Sequence, residues 1–201
     1  METSQTEQTL ALARTMGVLR PRDLQARGLP PEYLHRLYRR GLLERSARGL
    51  YRLPDAELTE HHTLVEACKR VPHGVACLLT ALKFHTLTTQ WPFEVWLALD
   101  GKARAPQAHD LPLRTMRFSG QALSFGIEEH WIEGVLVHVY TPAKTVADCF
   151  KYRHKIGLDV ALEALRETWH ERRATMDEIY EAARVCRVER VMQPYLEALA
   201  A

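Results

Sequence analysis

Gly28-Leu29-Pro30-Pro31-Glu32-Tyr33-Leu34-His35-Arg36-Leu37-Tyr38-Arg39-Arg40-Gly41 is the stretch on which the fold turns. Pro31 suits a first helical turn, where its missing N–H costs nothing. Leu34, Leu37 and Tyr38 recur three and four apart and form the expected buried stripe, and Gly41 stands where a helix stops. With Leu34 at the centre of the buried face, Glu32, Arg36 and Arg39 fall on the opposite face, flanked by His35 and Arg40.

Upstream, Leu10, Leu12, Ala13 and Met16 keep helical spacing up to Gly17. A short second helix is expected from Pro21, with Leu24 turned inward and an end at Gly28. Only Leu29 and Pro30 separate it from the third helix, a helix-turn-helix spacing. Downstream, Leu42-Leu43-Glu44-Arg45 and Leu50-Tyr51-Arg52-Leu53 read as short strands around a turn at Ser46–Gly49, and Pro54 ends the unit. Three helices followed by a hairpin give the order of a winged helix-turn-helix, with the hairpin as its wing.

The formal net charge of +2 hides a split. Residues 1–54 hold ten Arg, no Lys and five acidic residues, a charge of +5, and the remainder carries −3. A basic module on a mildly acidic body predicts an anionic partner for the first piece alone. An exposed arginine face on the third helix suits the major groove of double-stranded DNA, where guanidinium groups read guanine edges or clamp phosphates. The candidate DNA contacts are therefore Glu32, His35, Arg36, Arg39 and Arg40 on that helix, Arg45 and Arg48 on the wing, and Arg20 and Arg22 at the start of the second helix. Arginines on a solvated helix also occur in winged helices that dock proteins, so that alternative stands beside DNA binding.

Pro54-Asp55-Ala56-Glu57 changes the composition and reads as a linker, which gives an expected division into residues 1–56 and 57–201. In the second part, helices are expected over His61–Arg70 and Val75–Phe84, and strands from Phe93 to Leu99, Leu113 to Phe118 and Val135 to Tyr140. Arg104 to Pro112 reads as a loop. Thr141-Pro142 is an N-cap followed by proline at the first position, and it opens a helix that stops near Gly157. Helices over Leu158–His170, Thr175–Cys186 and Val188–Leu199 follow. The expected fold class is α+β, a winged helix-turn-helix followed by a mixed α/β domain.

The run Thr141-Pro142-Ala143-Lys144-Thr145-Val146-Ala147-Asp148-Cys149-Phe150-Lys151-Tyr152-Arg153 resembles a hallmark of the AbiEi family, as does Gly157–Leu165 just after it. The first module, ending in Gly49-Leu50-Tyr51, and the segment Arg117–Gly120 extend the likeness. That family holds antitoxins and transcriptional regulators of bacterial type IV toxin–antitoxin systems. The resemblance implies a repressor of its own operon that binds inverted repeats in double-stranded operator DNA. It also implies a cognate nucleotidyltransferase-like toxin, with direct contact between the two left open. The alternative is a protein-docking winged helix that neutralises the toxin by binding it.

Lys151, Arg153 and Lys155 surround Tyr152 near a helix C-terminus. They form a second candidate basic patch, although cations there also serve the helix dipole and its last carbonyls. Asp100-Gly101-Lys102 has the look of one arm of a metal-dependent nuclease, but an Asp-Gly after a strand is more often a turn. His62 and Glu66, four apart, do not make a metal site on their own. No serine-nucleophile motif and no phosphate-binding glycine loop occurs, so neither a catalytic role nor a cofactor or metal is expected. Cys68, Cys77, Cys149 and Cys186 lie far apart and read as reduced, buried thiols. The N-terminus lacks the pattern of a signal peptide, and no apolar run is long enough to span a membrane. A cytoplasmic protein is expected.

Overall fold

The computed structural model describes residues 2–104 and 111–200. Residues 105–110 of the expected Arg104–Pro112 loop lie outside the described residues. The architecture is α+β, and the described chain divides into two units. The first takes the chain up to Pro72 together with Trp131–Val137; the second holds most of the rest.

The first unit opens with α1 (Glu2–Met16), α2 (Pro21–Gln25) and α3 (Glu32–Arg39), followed by strands β1 (Glu44–Ala47) and β2 (Leu50–Arg52) and helix α4 (His62–Arg70). Its core gathers Ala13, Leu19, Leu24, Leu29, Tyr33, Leu34, Leu37, Leu43 and Tyr51. Leu19 and Tyr51 exchange backbone hydrogen bonds at 2.7 and 3.0 Å, which adds a one-residue third strand to the wing. The wing differs in detail from the expected hairpin. Its turn is the two residues Arg48 and Gly49, and its register shifts between Arg45 and Ala47. Gly49 takes a φ of +74°, which an L side chain rarely adopts. On α3 the buried stripe is Tyr33, Leu34 and Leu37, whereas Tyr38 stays 42% exposed. Counted from Leu37, position 33 lies on the core side and position 38 has rotated toward water.

The segment Trp131–Val137 closes against the end of α1 inside this unit. A Cβ on Gly134 would sit 2.7 Å from the Thr15 carbonyl oxygen and 3.0 Å from the Gly17 nitrogen. A Cβ on Gly17 would in turn strike the backbone carbonyl of Glu133. Two glycines at positive φ, +62° and +72°, thus allow two backbones to meet.

A five-stranded sheet ordered β5-β4-β3-β7-β6 comprises β3 (Val75–Ala76), β4 (Val95–Asp100), β5 (Leu113–Phe118), β6 (Ile127–Ile132) and β7 (Val135–Tyr140); the second unit holds all of it but Trp131–Ile132 and Val135–Val137. β3 runs antiparallel to β4 and parallel to β7, and β4 is parallel to β5. The helix expected over Val75–Phe84 is divided, because Val75 and Ala76 join the sheet and Cys77 caps α5 (Leu78–Phe84). β4 starts at Val95 rather than Phe93, whose side chain is 89% exposed. Helices α6 (Gln121–Ser124), α7 (Pro142–Lys151), α8 (Arg153–Ile156), α9 (Leu158–His170), α10 (Met176–Cys186) and α11 (Glu189–Ala200) complete the fold.

Helix α7 is central to this unit. Thr141 caps it by accepting from the Lys144 N–H, and every residue from Ala143 to Phe150 is buried. Two of those residues are charged. The Lys144 ammonium donates to Asp148 at 2.5 Å, and both side chains are fully buried. Cys186 donates its S–H to the other Asp148 oxygen at 3.2 Å, and the Lys144 cation lies 4.1 Å from the Tyr140 ring centre. Burial nonetheless pushes the Asp148 carboxyl above its ordinary range.

Gly134→Ala is expected to destabilise the protein by about 1–3 kcal/mol or more in urea unfolding, since strain and collision add. Gly28 also has positive φ, at +70°, but nothing lies within 4 Å of a Cβ there. Gly28→Ala is expected to cost clearly less. Equal losses at the two sites would contradict the close approach at Gly134.

Candidate nucleic-acid interface

Three buried residues of α3, Tyr33, Leu34 and Leu37, fix which face is left to solvent. That face carries Glu32, His35, Arg36, Arg39 and Arg40, all exposed. The Arg36 guanidinium lies 4.8 Å from the Tyr33 ring centre, a cation–π contact that holds it near the first turn. Arg40 is the C-cap, and Leu42 N–H donates back to Leu37 at 3.0 Å to close the helix end. Exposed Tyr38, which the sequence reading placed inside, sets its ring edge-on to Tyr51 of the wing at 6.3 Å.

Arg45 and Arg48 are both exposed on the wing. The Arg45 Nε donates to the Ala47 carbonyl at 3.4 Å. The Arg48 carbonyl accepts from Arg70 Nη2 at 2.6 Å, a contact from the last residue of α4. No local pattern around Arg70 announces this role; only the folded wing brings the two residues together.

Arg20 and Arg22 separate. Arg22 is exposed, whereas the Arg20 side chain is 16% exposed and turned inward. Its guanidinium pairs with Asp23 at 2.9 Å and also donates to the Lys69 carbonyl. The Arg20 N–H donates to Asp23 Oδ2 at 2.8 Å, so Arg20 and Asp23 cap α2 together. Lys69 adds a second cation 3.2 Å from Asp23. Burial would raise the Asp23 carboxyl, yet Arg20 and Lys69 hold it below its ordinary value.

Behind the wing, His62 stands between two carboxylates. Its Nδ1 lies 2.6 Å from Glu133 and its Nε2 3.4 Å from Glu66. Glu133 also accepts from the Thr59 N–H at 2.7 Å and the Thr59 hydroxyl at 2.8 Å. Glu66 faces Ser46 and Arg52 of the wing, where Ser46 Oγ and Arg52 Nε lie buried without closing a hydrogen bond. Glu66, with Glu133 beside it, raises His62 above its ordinary 6.5 against the cost of burial.

Of the second candidate patch, Lys151 and Lys155 are exposed, and Lys155 Nζ lies 5.9 Å from the Tyr152 ring centre. Arg153 is half-buried and donates to the Phe150 carbonyl at 2.9 Å, a helix-end contact. Asp100-Gly101-Lys102 forms a turn in which Asp100 accepts from the Lys102 N–H at 2.8 Å. Among the described residues no group of three or more His, Cys, Asp or Glu side chains is placed to hold a metal ion. Among the same residues no helix is long and apolar enough to cross a membrane.

Helix order and wing define a winged helix-turn-helix module with an exposed arginine face. Residues 7–54 match the family described as "Transcriptional regulator, AbiEi antitoxin". The match falls on the first module; the Thr141–Arg153 and Gly157–Leu165 runs lie outside it. No curated protein matches the chain.

The His62 cluster sets a pH dependence. A histidine raised in the folded state contributes stability that is complete below 6.5 and is lost as pH rises through its folded value. Glu66 and Glu133 are lowered from 4.5, so their contribution is complete above 4.5 and is lost as pH falls through their folded values. Buried His85, held below 6.5, acts the other way only up to 6.5, so the melting temperature is expected to drop as pH climbs from about 6.5 to 8, and His62→Gln is expected to flatten that drop. An unchanged profile in the variant would remove His62 from the account.

Proposed function

We propose that this chain is a DNA-binding antitoxin and transcriptional repressor of its own toxin–antitoxin operon. One observation carries the reading: Arg36, Arg39 and Arg40 on α3 are exposed on the face opposite its core stripe, and Arg45 and Arg48 are exposed on the wing. Five guanidinium groups on a helix and its wing suit one groove and the adjoining backbone. Glu32 and His35 lie on the same helix face and are proposed to take part in base readout, with Arg22 on the backbone. Arg20 is held by Asp23 and serves as part of the α2 cap.

The DNA contacts are assigned to residues 1–56 and the antitoxin activity to residues 57–201. The target is operator DNA with inverted repeats, and the counteracted partner is a nucleotidyltransferase-like toxin, in the cytoplasm and in a type IV system. The match of residues 7–54 to the family described as "Transcriptional regulator, AbiEi antitoxin" supports the regulator and antitoxin reading in general. Lys151 and Lys155 are proposed as a weaker polyanion contact of the second unit. No catalytic step is assigned to the chain.

If these arginines meet phosphates, affinity for duplex DNA from upstream of its gene is expected to fall with salt at a log–log slope of about −0.9 per neutralised phosphate. Arg36→Ala is expected to weaken specific binding by about 1–3 kcal/mol in an anisotropy titration. Binding that ignores salt and tolerates Arg36→Ala would favour the protein-docking reading instead.

A further inference from the structure

We infer that Arg70 is a positioning residue for the wing, and that α4 belongs functionally to the DNA-reading module although it lies outside residues 7–54. The inference rests on the reading of the first unit as a DNA binder.

The base of the wing is held by the Leu19–Tyr51 bridge, the Glu44–Arg52 ion pair and buried Leu50, but its tip is not. Its strands are four and three residues long and its turn is two residues, Arg48 and Gly49. A hairpin of that size is marginal in water by itself. The register shift between Arg45 and Ala47 interrupts the ladder between two residues that the DNA reading needs. A loose wing would have to be ordered when DNA binds, and that ordering would subtract from affinity.

Helix α4 reaches that tip. An arginine in a last helical turn ordinarily serves the carbonyls of its own helix. Arg70 sends Nη2 across to the Arg48 carbonyl at 2.6 Å. One turn earlier on the same helix, the Glu66 carboxylate lies close enough to Ser46 and Arg52 to be held low by them, with Ser46 Oγ closing no hydrogen bond to it. The helix is fixed in its turn, since Lys69 meets Asp23 at 3.2 Å and its carbonyl accepts from Arg20. A charged hydrogen bond to the Arg48 carbonyl leaves the Arg48 side chain exposed, as a DNA contact requires. Arg70 thus acts on DNA through Arg48.

The test uses the full chain, with hydrogen–deuterium exchange over Arg48–Leu50 in the free protein and binding to duplex DNA from upstream of its gene. Arg70→Ala is expected to speed exchange at the wing turn and to weaken DNA binding about threefold to tenfold. Arg70→Gln keeps an N–H donor but stops two bonds short of the Nη2 position, and it is expected to recover only a small part of both losses. On an Arg48→Ala background, Arg70→Ala is expected to add almost nothing, because the two residues act as one unit.

A full additional loss on that background would mean that Arg70 touches DNA itself and would overturn the inference. So would Arg70→Gln binding as poorly as Arg70→Ala while wing exchange stays at the wild-type rate. If Arg70→Ala does not fold, Arg70→Lys takes its place: weaker DNA binding together with faster wing exchange supports the brace, and weaker binding with wing exchange at the wild-type rate overturns it. Fast wing exchange in Arg70→Ala together with no DNA binding by the wild type would leave the brace in place and refute the DNA reading alone.

Discussion

Asp23 is 7% exposed and carries a charge, so the first unit can bury it only by surrounding it with donors. It accepts from the N–H and guanidinium of Arg20 and meets the Lys69 ammonium. The first two contacts start α2, and the third ties α2 to α4. With α2 held from behind, Tyr33, Leu34 and Leu37 of α3 settle into the core and the opposite face of α3 is left in water. Removing Asp23 would leave two cations partly buried without their counter-charge, a larger loss than any single surface contact.

The second unit makes a similar choice in its centre. Lys144 and Asp148 stand one turn apart on α7 with no exposure at all. Two apolar residues of similar size would pack there at less cost. The ion pair with its Cys186 donor and Tyr140 contact instead fixes the rotation of α7 against its neighbours. The run Thr141–Arg153 is therefore mainly the sequence of a buried helix and its cap. Its position in the core accounts for a motif without any exposed chemistry between Ala143 and Phe150.

Much of this was legible from residue spacing. The three helices, the hairpin, the Thr141-Pro142 start and the last three helices follow from periodicity and caps, which are local properties. What escaped was set by distant partners. β3 is only two residues long and is a strand because β4 and β7 flank it. β6, unread in the sequence, shows half-exposed alternation with Glu128, Glu129 and His130 in its middle, a weak strand signal. Arg20 looked like a basic residue at a helix start, and only Asp23 and Lys69 explain why it turns inward. The wing arginines were legible as charges, but their support from Arg70, 22 residues away, was not.

The central claim is that α3 and the wing are the surface that meets DNA. An amide NMR titration of the labelled full chain with duplex DNA from upstream of its gene tests this most directly. The account predicts the largest shifts at His35, Arg36, Arg39 and Arg40 and at the Arg48–Gly49 turn, fading as salt rises. Shifts confined to α9–α11 or β6, with α3 and the wing unmoved, would contradict it.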